Sequence, residues 1–142
     1  MKIPFILIVL LNISNPAEEN YSPEKKFEFE ITNIQNKGGQ VNIAVYDSES
    51  GWMDTPFKTK TLKTDKDAET VSFEVPYGTY AISVYQDVNG NGELDTNFMG
   101  IPKEPIAFGN NFKPFGKPKF KDAAINFNSQ YQVQSLKLYN IL

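Results

Sequence analysis

Phe27, Phe29 and Ile31 alternate with Glu28 and Glu30, and this period of two is what most narrows the folds open to the chain. Successive side chains of a strand point to opposite faces, so such a run buries one face and wets the other. The pattern recurs. Val41, Ile43 and Val45 alternate with Asn42 and Ala44, and Val71, Phe73 and Val75 share one face. Tyr80, Ile82 and Val84 make the strongest run, Lys58 to Leu62 a weaker one, and 123–127 and 131–139 close the chain. Gly38-Gly39 and Pro76-Tyr77-Gly78 read as tight turns, the first joining the opening two strands as a hairpin. No stretch carries the 3.6-residue periodicity of an amphipathic helix. About seven short strands at this spacing predict an all-β fold, a Greek-key β-sandwich of the Ig-like or transthyretin-like kind, with an up-and-down barrel as the alternative.

One segment breaks the rhythm. From 87 to 121 the chain carries Pro102, Pro105, Pro114 and Pro118 among Phe98, Phe108, Phe112, Phe115 and Phe120. This reads as one long irregular loop. Loops of that length without structure are uncommon and are usually functional. Its phenylalanines give it apolar surface to lay against the sandwich, and an aromatic ligand platform is the other use for them. Trp52, close in sequence to Tyr46 and Phe57, reads as packing, with sugar stacking as its functional alternative.

What is missing is equally restrictive. The 142 residues contain no cysteine and no histidine. Disulfides, thiolate nucleophiles, Ser-His-Asp triads and His-ligated zinc are thereby excluded. A metal must be held by oxygen, which favours Ca²⁺, Mg²⁺ or Mn²⁺. The net charge of −3 and pI near 5.0 come with no basic stripe, so the electrostatic footprint of nucleic-acid binding is absent. The run Lys113, Lys117, Lys119, Lys121 reads as a solvated face.

Residues 1–17 have the character of a signal peptide. Lys2 supplies the positive start, 3–11 is apolar apart from Pro4, and cleavage after Ala17 is expected. The apolar run is too short to span a bilayer, and no later segment is apolar enough to do so. Residues 18–142 are then a single exported domain, periplasmic or extracellular. A domain of that size buries roughly two-thirds of its unfolded surface and needs no staples.

The stretch with most chemistry is Asp87-Val-Asn-Gly-Asn-Gly-Glu-Leu-Asp95. Oxygen-bearing side chains fall at alternate positions and Gly92 at the sixth. That spacing can wrap a backbone around a hard cation, with side-chain oxygens from positions 1, 3 and 5 and a carbonyl from position 7. Here those are Asp87, Asn89, Asn91 and Glu93, with Asp95 at position 9. Position 12, normally a bidentate Glu, is Phe98; Glu104, the nearest later carboxylate, is the candidate to fold back as the missing ligand. Few charges imply modest Ca²⁺ affinity, in the range of ~10⁻⁴–10⁻³ M seen for extracellular modules. The competing reading is a bare turn, because Asn-Gly pairs are also favoured turn residues.

The run from Gly78 through Asp95 and its continuation to Asn111 resemble the bacterial DUF2141 family of small exported proteins. Pro118-Lys-Phe-Lys-Asp-Ala-Ala124 resembles that family's next segment, whereas Ala107-Phe108-Gly109 departs from its more usual Gly-Phe-Ser. The resemblance implies a β-sandwich and export but supplies no activity. The 87–95 piece is also similar to calcium loops of adhesin B-type repeats and dockerins.

Three functions fit. The first is a non-catalytic, calcium-stiffened module that binds a protein or glycan. The second is a hydrolase using Asp87, Asp95 and Glu104 as paired carboxylates, for which a domain this small leaves little room for a cleft. The third is a structural envelope protein without metal, adding a partner strand at an exposed 131–139 edge.

Overall fold

A computed structural model describes residues 22–35 and 38–142; the expected signal segment lies outside the described residues. Eight strands form two sheets. They are β1 (Lys25–Thr32), β2 (Gln40–Tyr46), β3 (Lys58–Leu62), β4 (Glu69–Val75), β5 (Gly78–Asp87), β6 (Ile106–Phe108), β7 (Ala124–Phe127) and β8 (Gln134–Lys137). The smaller sheet has the order β4-β1-β8; the larger runs β3-β2-β5-β6, with β7 pairing β5 beside β6. Strand pairs β1–β4 and β2–β5 are antiparallel and lie in opposite sheets, the crossed arrangement of a Greek-key sandwich. Among the described residues no helix is long and apolar enough to cross a membrane.

The period-two runs point as expected. Phe27, Phe29, Ile31, Val41, Ile43, Val45, Val71, Phe73, Val75, Tyr80, Ile82 and Val84 all enter one core between the sheets. Phe27 lies at its centre, with ring centroids of Phe127, Tyr131, Phe29 and Tyr80 at 4.6, 5.1, 5.7 and 5.8 Å.

Three expectations are corrected. Gly38-Gly39 does not close a hairpin: β1 pairs with β4 and, in parallel, with β8, so the segment after β1 crosses between sheets. Two runs of matching alternation cannot specify their partner, and burial of both β1 flanks by β4 and β8 decides it. The 87–121 segment is not one irregular loop. It contains β6, which adds an eighth strand, then a single 3₁₀ turn at Gly109–Asn111 and the start of a four-residue helix, α1 (Phe120–Ala123). Finally, 131–139 is ordered as a strand only over Gln134–Lys137, and its outer edge is occupied. The Asn111 amide donates to Ser135 O at 2.7 Å and accepts from Lys137 N at 2.8 Å, standing in for a neighbouring strand. The expected docking edge is therefore covered.

The 87–121 segment forms a third layer. Ala44, Tyr46, Ala81 and Tyr85 lie on the outer face of the larger sheet beside Ile106 and Phe108 of β6, and Leu94, Phe112 and Phe120 from the rest of the segment pack against them. Trp52 belongs to this layer. Its ring sits 4.9 Å from Tyr46 and 6.1 Å from Phe120, and its indole N–H donates to Pro118 O at 3.0 Å, so it packs rather than offering a sugar platform.

The two sheets meet differently at their two sides. At one side Ile106 and Tyr139 exchange backbone hydrogen bonds of 3.0 and 2.9 Å. At the other, Lys58 and Lys60 of β3 reach across to donate to Glu74 O and Ser72 O of β4. Lysines on an edge are a known guard against strand-to-strand association.

Candidate functional site

The 87–95 loop leaves the end of β5, and its first residue organises it. The Asp87 carboxylate is fully buried, and its two oxygens accept from Gly90 N at 3.0 Å and Gly92 N at 2.7 Å. Gly92 is needed at that bend because its φ of +80° lies in the left-handed region. Asn89 Oδ1 accepts from Asn91 N at 3.2 Å, and Asn91 Oδ1 from Glu93 N at 3.0 Å. These are the local side-chain-to-backbone bonds by which Asn and Asp bend a chain.

Asp95 closes the ring. Both amide groups, Asn89 Nδ2 and Asn91 Nδ2, donate to its carboxylate, the second at 2.7 Å. Asp95, Asn89 and Asn91 thus converge on one side of the loop while Asp87 supports it from below. Glu93 is exposed.

Glu104 does fold back. One carboxylate oxygen accepts from Val88 N at 2.9 Å and the other from Asp95 N at 3.0 Å, so a single buried side chain ties the two ends of the loop together. Its oxygens meet backbone N–H groups. Among the described residues no three carboxylates converge on one point, so the converging set is mixed: carboxylates with Asn amides.

The electrostatics are one-sided. The ion pairs among the described residues, Lys26–Glu28 and Lys58–Glu24, involve none of Asp87, Asp95 and Glu104. Tyr85, whose hydroxyl lies 3.4 Å from Gly92 O, reports the field: burial raises its pKa first, and the Asp87, Glu104 and Glu93 carboxylates raise it further.

Three residues that support the loop carried little sequence signal. Gln86 continues the inward register of Tyr80, Ile82 and Val84, which is the only hint of its burial. Its side-chain amide pairs with both N and O of Gln35 at 2.8 and 2.7 Å, clamping the β1–β2 crossover to the loop root. Gly39, with φ +80°, passes so close that a Cβ there would collide with Asp87 O. Asn97 shapes a hairpin beyond the loop: its Oδ1 accepts from Met99 N and Ile101 N at 2.9 and 3.0 Å, and Thr96 bridges Pro102. At the tip Phe98 is 97% exposed and Met99 67%. Of the five phenylalanines, Phe108, Phe112 and Phe120 pack inward, while Phe98 and Phe115 face solvent.

Residues 29–135 match the model of a family described as an uncharacterized protein conserved in bacteria, DUF2141. The chain belongs to the DUF2141 family. The match spans the strands from within β1 to the start of β8 and contains the whole 87–104 site. No curated protein and no solved structure matches the chain.

Proposed function

We propose that this DUF2141 protein is an exported, non-catalytic β-sandwich module. Its 87–95 loop takes up Ca²⁺ with modest affinity, and the 96–102 hairpin meets a protein or glycan partner in the cell envelope or outside the cell. The observation that carries the reading is the convergence of Asn89, Asn91 and Asp95 on one side of the loop that the buried Asp87 carboxylate organises, with no cationic side chain paired to Asp87 or Asp95 among the described residues. Buried charges are ordinarily paired or coordinate metals. Asp87, Asn89, Asn91 and Asp95, with the Glu93 carbonyl, supply oxygens only, which suits a hard cation. Binding requires the Asn89 and Asn91 amides to turn Oδ1 toward the cation in place of Nδ2.

Two observations favour a module over an enzyme. Asp87 and Glu104 spend their oxygens on backbone N–H groups, a structural use. The exposed Phe98-Met99 pair stands on a hairpin braced by Asn97, and a rigid apolar tip is a contact surface that loses little entropy when it binds. Export rests on the leader-like composition of residues 1–17.

Thermal unfolding in EDTA and across a Ca²⁺ titration tests the metal. At ten times the dissociation constant a site on the folded state adds about 1.4 kcal/mol, a rise of roughly 4–6 °C for a domain of this size. Asp87→Ala is a poor control, because it also removes the acceptor for Gly90 N and Gly92 N. Asp95→Asn removes a charge and only one of the two acceptors that Asn89 and Asn91 use, at a part-exposed position, so it should abolish the rise and lower the EDTA melting point only slightly. No rise by about 10 mM Ca²⁺, tenfold above the weak end of extracellular sites, or an equal rise in Asp95→Asn, overturns the assignment.

A further inference from the structure

The seam where β6 meets the chain end beyond β8 holds chemistry that the 87–104 site does not use. Beside the Ile106–Tyr139 bridge opens a cavity of about 390 Å³. Half-buried Tyr139 is its main exposed apolar surface, with the buried Ala107, Phe108 and Leu138 packed beneath, and Lys113 and Lys137 stand at its wall. No carboxylate lines it, and neither lysine has an ion-pair partner among the described residues. In a chain of net charge −3 this is a local excess of positive charge beside apolar surface.

The wall is braced. Asn33 (φ +61°) donates its amide to Leu138 O at 2.7 Å, and Asn111 (φ +52°) holds Ser135 O and Lys137 N, so two left-handed asparagines fix the strand that carries Lys137. The Lys113 ammonium lies 4.7 Å from the Tyr139 ring centroid, a cation–π contact that stations the charge over that ring. A space near 400 Å³ falls at the lower end of the ~300–1,000 Å³ typical of small-molecule sites, and two cations are too few to track a polyanion.

The geometry points to a binding site for a small amphiphilic carboxylate, its head group met by Lys113 and Lys137 and its apolar body laid on the Tyr139 ring and the exposed edge of Phe108. The site shares no residue with the 87–95 loop, and its test is independent of Ca²⁺.

Octanoate is the probe, and octan-1-ol its uncharged counterpart. Octanoate titrated into the full-length protein and followed by amide NMR shifts should bind saturably, moving Ala107, Phe108, Leu138 and Tyr139 most. Octan-1-ol should bind at least tenfold more weakly, as should octanoate to the Lys113→Gln/Lys137→Gln variant, whose substitutions are at exposed positions. Lys121→Glu, a basic position outside the cavity, should bind like the unsubstituted protein. The proposal is overturned by absence of saturation to about 10 mM, a weak limit on the affinity scale. Equal affinity for the alcohol, unchanged binding in the double variant, or shifts clustered elsewhere would overturn it as well.

Discussion

The two ends of β5 are built on different physics. At the Gly78–Ala81 end, Tyr80 enters the core beside Phe27 and stacks on Phe57 at 6.0 Å, with β7 paired alongside. Cohesion there comes from apolar area, which is non-directional and indifferent to ions. At the Asp87 end the chain turns into a loop held by directed bonds from two buried carboxylates to backbone N–H groups, with Leu94 as its apolar anchor on the outer layer. Charge-assisted hydrogen bonds of this kind are stronger than neutral ones, and they depend on direction rather than area. One end is thus held by buried area and the other by a small set of directed bonds.

The comparison can be broken most severely at the apolar end. Phe27→Ala should cost about 3–5 kcal/mol, read by denaturant unfolding, and the loss should be the same in EDTA and in Ca²⁺. A Ca²⁺-dependent cost would mean the two ends are coupled rather than separate. Next comes Gly39→Ala at the junction. Its left-handed φ and the collision with Asp87 O place it toward the upper part of the ~1–3 kcal/mol range for strained backbone. The variant should lose both melting temperature and any Ca²⁺ response, because what must shift is the root of the loop itself.

Glu104→Ala acts at the polar end alone. Releasing the part-buried Val88 and Asp95 amides should cost about 1–2 kcal/mol, with faster hydrogen exchange at those amides and unchanged exchange in β1. The smallest effect concerns Tyr85. Its raised pKa means the unfolded chain gives up this proton first, so Tyr85 makes the fold lose stability as pH rises from the ordinary tyrosine value toward the raised one. Ca²⁺ should lower the Tyr85 pKa by offsetting the Asp87, Glu104 and Glu93 contributions, while leaving the part due to burial. Ultraviolet phenol titration with and without Ca²⁺, against Tyr85→Phe, checks this; a Ca²⁺-dependent shift that survives in Tyr85→Phe would place the effect on another tyrosine.

The site was legible in the sequence where its bonds are local. Asp87 to Gly92 and Asn89 to Asn91 span a few residues, and alternate placement of oxygens is enough to announce them. Glu104 was legible only as the nearest later carboxylate, since no local rule says that its oxygens would serve Val88 N and Asp95 N rather than an ion. Gln86 continues an apolar register and gives no sign of its bond to Gln35.

By itself the sequence determined which residues face inward, because alternation follows from the pleat of a strand and needs no knowledge of its neighbour. It also determined the bend at 87–92 and the exclusion of His and Cys chemistry. Only the tertiary structure decided that β1 lies between β4 and β8, that β6 joins the larger sheet beside β5, and that Lys113 and Lys137 line one cavity. Those outcomes join positions far apart in the chain, and such pairing is selected by the burial of whole faces against one another, a collective quantity that no short stretch of residues contains.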